Sequence, residues 1–132
     1  MSLYLWLALG GAIGTVARFG VSSFFAHHCV ETFPWSTLLV NVAGSFLIGF
    51  FATLTGNEGR FAVNGTTRAF VMTGVFGGFT TFSTFSLQTL TLAREGEWLR
   101  AGANSVGSLV LCLVAVWLGH VAAVSLNAAK GS

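Results

Sequence analysis

The chain has 132 residues, of which 54% are hydrophobic and 8% charged, with a formal net charge of +2 and a mean hydropathy of +0.79. That is too apolar, and too poor in charge, for the surface of a soluble domain of this size. A transmembrane helix needs ~20 mainly apolar residues, so four spans account for nearly the whole chain, read as one membrane domain over 1–132 with no separate soluble part.

The first span is read as Leu3–Phe25. It lacks a basic leading region and runs too long for a signal peptide. Gly10 and Gly14 form a GxxxG pair, whose physical use is close helix contact. Arg18 follows one turn later. An arginine near a span end can snorkel to the interface; alternatively it stands at a vestibule mouth, where it draws anions in.

The second span, Trp35–Leu54, starts just after Pro34, the single proline, where a helix start tolerates it. Asn41 lies near its middle, with Thr37 and Ser45 one turn away on the same face. An amide in hydrocarbon must be satisfied. It either bridges two helices or donates to an anion.

The third span, Phe70–Leu92, holds the most unusual run, GGFTTFSTF from Gly77 to Phe85. Adjacent glycines loosen a helix, and hydroxyls can replace backbone partners where it opens. Thr80, Thr81, Ser83 and Thr84 supply the hydroxyls; Phe82 and Phe85 share a face. Either this is a tightly packed helix, or it is a broken span lining an ion path. A break leaves the carbonyls of Gly77 and Thr80 without i+4 partners, and exposed carbonyls suit a hard cation such as Na+. Ring edges are positive, so the two phenylalanines can meet an anion edge-on without binding it too tightly to leave. With 13 phenylalanines in the chain, packing is the more common role for any one of them.

The fourth span, Leu99–Leu126, carries Asn104, Ser108 and Cys112 at intervals of one turn, a thin polar stripe. It serves helix–helix hydrogen bonding unless it matches the hydroxyls of the third span. His120 lies near the end of this span with no partner identifiable from sequence. Cys29 and Cys112 are not expected to pair, and His27 and His28 read as interfacial rather than metal-ligating.

All four acidic residues (Glu31, Glu58, Glu95, Glu97) fall in the connections. The positive-inside rule counts Lys and Arg in short loops. Arg60, Arg68 and Lys130 lie on one side, Arg18, Arg94 and Arg100 on the other, a tie that gives no preferred orientation. Insertion in both directions, followed by antiparallel dimerisation, is consistent with it.

Taken together, GGAIGTVARF, STLLVNVAGSFLIG, GGFTTFSTFS and GANSVGSL, in order over four spans, resemble the motifs of the Fluc (CrcB) family of fluoride channels, and the resemblance covers nearly the whole chain. It implies an all-α integral membrane protein with a third helix broken at mid-membrane. It also implies an antiparallel, dual-topology homodimer with two pores and passive F− export across the inner membrane of a bacterium. No nucleic-acid partner is expected. By motif position, Phe82 and Phe85 would face fluoride and Asn41 would be the pore asparagine. Ser83, Thr84, Asn104, Ser108 and Thr37 would lie on or near the polar track, with Arg18 and Gln88 at the vestibule. Gly77 and Thr80 would offer carbonyls to a structural Na+ at the dimer two-fold. Two positions depart from the pattern: Gln88 stands where the family often has glutamate, and Cys112 where a hydroxyl is common.

The main rival is a small four-span, proton-coupled exporter, but proton coupling needs a titratable group and the first span holds no acidic residue. A non-conducting subunit of a heterodimer would explain the small residues but not the polar run of the third span. No nucleophile–base pair or metal cluster suggests an enzyme.

Overall fold

The computed structural model describes residues 2–30, 32–57 and 59–130, Lys130 by its backbone alone. Glu31, Glu58 and the side chain of Lys130, which entered the charge assignments above, lie outside the described residues. Helix α1, Leu3–His28, begins at Ser2, whose hydroxyl accepts from the Leu5 amide at 3.4 Å. Helix α2 is Trp35–Leu54. A short α3, Gly65–Arg68, is capped by Asn64 Oδ1, which accepts from the Thr67 amide at 2.7 Å. It runs on into a π-helical stretch, Ala69–Phe76, and then α4, Gly77–Phe79. Helix α5 is Phe82–Arg94 and α6 is Trp98–Lys130.

Among the described residues, four helical runs are long and apolar enough to cross a membrane: Leu3–His28, Trp35–Leu54, Gly65–Arg94 and Trp98–Ala129. The second matches the sequence reading. The first, third and fourth are longer, because a helix continues through polar residues such as His27 and His28 as long as its backbone bonds continue, whereas hydropathy stops at them. At 33 residues, α6 is about 50 Å long and outruns a hydrocarbon core of about 30 Å.

Between α5 and α6 the chain reverses on Gly96, the one residue with positive φ (81°) among those described. The Gly96 amide donates to Ala93 O at 3.1 Å and the Glu97 amide to Leu92 O at 2.8 Å, the paired bonds of a Schellman cap. This tight turn holds α5 and α6 antiparallel.

Small residues set the packing. Helix α1 lies on the π-helical stretch and α4, where a Cβ at Gly14 would strike the Val75 carbonyl and one at Gly10 the Phe70 carbonyl. The GxxxG pair is thus a backbone-to-backbone contact. Helices α2 and α6 meet in the same way through Gly49, against the Val116 carbonyl, and Gly119, against the Phe46 carbonyl. Apart from Leu92, the buried hydrophobic and polar residues are small or polar: Val40, Ala101, Ala115 and Ala123 beside Ser36, Thr37, Thr55, Asn104 and Ser108. Most large apolar side chains face outward, as a membrane chain allows, since lipid is as apolar as leucine.

Away from the centre, His120 does have a partner, sharing a hydrogen bond with Thr53 Oγ1 at 2.7 Å. Asn127 Oδ1 accepts from the Arg60 amide at 2.6 Å, and Arg68 donates to Thr55 Oγ1 at 2.6 Å and to Ala52 O at 3.4 Å. A cation at the C-terminal carbonyls of α2 is favourable. These partners come from distant parts of the chain, which is why spacing did not reveal them.

Candidate functional site

The site is built around the residues between α4 and α5. Thr80 (φ −87°, ψ 159°) and Thr81 (φ −152°, ψ 117°) are extended. In an uninterrupted helix the Thr81 amide would donate to the Gly77 carbonyl and the Thr84 amide to that of Thr80. Here the Thr81 amide donates to Asn41 Oδ1 at 2.8 Å, and the Thr84 amide to Thr81 Oγ1 at 3.2 Å. Thr81 is therefore the N-cap of α5. Asn41 Nδ2 donates back to Thr81 O at 3.0 Å. One amide side chain on α2 thus clamps both backbone polar groups of a single residue, Thr81. Of the two uses considered for Asn41, helix bridging is the one seen, and one N–H remains for another partner. Gly44, one turn on, lets α2 approach, since a Cβ there would strike the Thr80 side chain.

A cavity of about 470 Å³ opens beside this clamp. Asn41, Gly77, Thr80, Phe82, Phe85 and Ser108 all line it, drawn from α2, the interrupted third run and α6. Ser45 and Cys112 share its wall. The Phe82 and Phe85 rings lie 5.4 Å apart between centroids at 55°. Phe82 is 80% exposed, so its ring projects from the chain instead of filling a core. No lining residue is acidic or basic.

Behind the cavity wall, Ser108 Oγ donates to Asn104 Oδ1 at 3.2 Å, Asn104 Nδ2 to Thr89 Oγ1 at 2.8 Å, and Thr89 Oγ1 to Phe85 O at 2.8 Å. The α6 stripe does match a hydroxyl of the third run, but that hydroxyl is Thr89, which the sequence reading did not single out. The only signal for it was its spacing of one turn from Phe85.

The other candidates lie apart from the cavity. Thr37 is buried one turn before Asn41. Ser83 is exposed, and Thr84 Oγ1 accepts from Thr81 Oγ1 at 3.1 Å. Gln88 lies further along α5, with its Oε1 buried and unpartnered among the described residues. Arg18 is not at a helix end. It lies roughly 15 Å along the axis from His28, where α1 stops, and its Nε donates to Gly78 O at 3.1 Å.

The model of the CrcB-like protein, Camphor Resistance (CrcB) family matches residues 5–120. The chain is 71% identical over 132 residues to the fluoride-specific ion channel FluC of Opitutus terrae, covering 100% of both chains. It is 60% identical over 129 residues to the protein of the same name from Methylocella silvestris, covering 98% of both. Over 127 residues it is 58% identical to that of Paramagnetospirillum magneticum, covering 96% of this chain and 99% of that one.

Proposed function

The chain belongs to the CrcB family of membrane proteins, which are channels and not enzymes, and on that premise we propose that it is a passive, selective fluoride channel. It exports F− across the cytoplasmic membrane and so limits fluoride toxicity. The working unit is an antiparallel homodimer with two pores. The observation that carries this reading is the uncharged cavity in which two phenylalanine rings, one amide and hydroxyls converge on an interrupted helix.

The steps follow from the chemistry of these groups. A small, strongly hydrated anion must exchange water for many close donors. Ring edges of Phe82 and Phe85 and the remaining N–H of Asn41 are donors of modest strength, which suits an ion that must also leave. Thr84 and Ser83 hydroxyls and the Ser108–Asn104 pair continue the polar track, with Thr37 behind Asn41. Arg18 and Gln88 flank the approach.

The dimer is supported by what one chain leaves uncovered. Irregular backbone at membrane depth is tolerated only when protein buries it or it lines water. We read the Thr80–Thr81 interruption as a mid-membrane break, beside which Phe82 and Ser83 are exposed. A second copy is the natural cover. The even split of Lys and Arg supports insertion in both directions.

The donor set also fits a structural Na+. The Gly77 and Thr80 carbonyls have lost their helical amides to Asn41 and Thr81, and carbonyl oxygens are ligands of hard cations. Two copies would supply twice as many. The ion would neutralise the carbonyl dipoles gathered at the break; it takes no part in permeation.

The test is F− efflux from liposomes containing the protein, read with a fluoride electrode beside a Cl− control. Rapid F− loss with Cl− retained is expected, and Phe82→Ile or Phe85→Ile should each cut F− efflux by at least about tenfold while the dimer persists. Equal F− and Cl− loss would remove selectivity from the reading. Unchanged flux in both variants would remove the rings from the path.

A further inference from the structure

Gly10, Gly14 and Arg18 are spaced four residues apart and form one stripe of α1. The glycines press that stripe onto the third helical run, so Arg18 is delivered to its backbone. Gly78 is in turn held close to α1, since a Cβ there would lie 2.7 Å from the Gly11 carbonyl oxygen. Arg18 is half-buried and makes no ion pair with any described residue. A charged side chain this far inside an apolar helix is costly and calls for a specific use. Its one hydrogen bond among the described residues runs from Nε to Gly78 O at 3.1 Å. The regular helical partner of that carbonyl would be the Phe82 amide, which the extended Thr80 and Thr81 carry away.

We propose that Arg18 is a positioning residue: its Nε–H caps the open carbonyl end of α4 from a neighbouring helix and thereby fixes where α5, with Phe82 and Phe85, begins. Asn41 grips the far side of the interruption at Thr81; Arg18 grips the near side at Gly78. The two hold the junction from α2 and from α1. This role rests on the channel reading for its consequence in flux, but the cap is a property of the fold. It differs from attraction of anions by charge, because the cap needs a donor at the Nε position whereas attraction needs only the positive charge.

Side-chain lengths provide the test. In glutamine the donor nitrogen is attached to Cδ, as Nε is in arginine, so Arg18→Gln keeps the donor and loses the charge. Arg18→Lys keeps the charge and moves the donor one atom further out, and Arg18→Met keeps neither. Arg18→Gln should hold maximal F− efflux within about threefold of the wild type while raising the half-saturating F− concentration, and Arg18→Met should lower the maximum at least about tenfold. Amide exchange over residues 79–86 should stay protected in Arg18→Gln and rise at least about tenfold in Arg18→Met. Wild-type flux in Arg18→Lys, with Arg18→Gln as impaired as Arg18→Met, would mean that charge alone matters and would overturn the cap. So would unchanged exchange in Arg18→Met. If Arg18→Met does not fold, the Gln and Lys variants decide between the two roles. A wild type that passes no F− would remove the channel reading, and exchange would still decide the cap.

Discussion

Replacing Asn41 by alanine removes both bonds that clamp the Thr81 backbone, at 2.8 and 3.0 Å. Alanine leaves the Thr81 N–H and C=O facing a half-buried, largely apolar wall. Hydrogen bonds in membrane bundles average about 0.6 kcal/mol, so the low estimate for two is about 1 kcal/mol. Stranding a buried polar group costs about 1–3 kcal/mol, and two half-buried groups bring the high estimate to about 4 kcal/mol. Each ~1.4 kcal/mol is a tenfold shift in a conformational equilibrium. The interruption should therefore lose its fixed geometry in an appreciable fraction of molecules, with F− efflux reduced at least about tenfold. The assay is denaturant unfolding in detergent beside liposome efflux, with dimer mass checked by light scattering. Asn41→Asp adds a charge to the test. Its carboxylate still accepts from the Thr81 amide but sets a negative oxygen against Thr81 O in an apolar wall, so stability falls at least as far as in Asn41→Ala, while the same charge repels F− and blocks flux. An Asn41→Ala protein with unfolding free energy within about 0.5 kcal/mol of the wild type and normal flux would refute the clamp.

Gly14→Leu should destabilise the chain by about 1–3 kcal/mol or more, because the side chain meets the Val75 carbonyl with no flexible neighbour to give way. Gly107→Ala is the control: nothing lies within 4 Å of its Cβ, so it should be neutral or gain up to about 1 kcal/mol of helix propensity. Thermal unfolding in detergent reads both, and a Gly14→Leu protein as stable as the wild type would contradict the packing of α1 on the third run. Replacing all Na+ by a bulky organic cation should lower the unfolding temperature if the Gly77 and Thr80 carbonyls hold Na+. Saturation at 100 times the dissociation constant is worth about 2.7 kcal/mol. An unfolding temperature indifferent to Na+ would count against the cation.

The membrane class and the four helical runs were legible because hydropathy reports directly on transfer into lipid. The GxxxG pair pointed to a close helix contact for a simple reason, that small residues let two backbones approach, though its spacing did not name the partner helix. What could not be read was which polar group meets which. Asn41 and Thr81 are forty residues apart, as far beyond any local period as Arg18 and Gly78. The bridging role of Asn41 therefore showed only once the fold paired them, and it leaves one N–H over. The π-helical stretch was also invisible, since Ala69–Phe76, which packs against α1, has an ordinary apolar composition.

The direction of the hydroxyl protons bears on why phenylalanines stand at the proposed anion path. Thr80, Ser86, Thr89 and Thr91 each donate to a carbonyl four residues back on the third run, and Ser105 does so on α6. Ser108 gives its proton to Asn104, and Thr81 gives its proton to Thr84. A hydroxyl so committed shows only lone pairs to its surroundings, and lone pairs repel an anion. Thr84 accepts within this set and keeps its own proton free, and Asn41 keeps one N–H. Counting hydroxyls thus overstates the donors that a dehydrating anion would find. A ring edge has no proton to surrender to the backbone, so its positive side stays available whatever the helix around it does. At an interruption rich in hungry carbonyls, that makes an aromatic edge a more dependable anion contact than another serine or threonine.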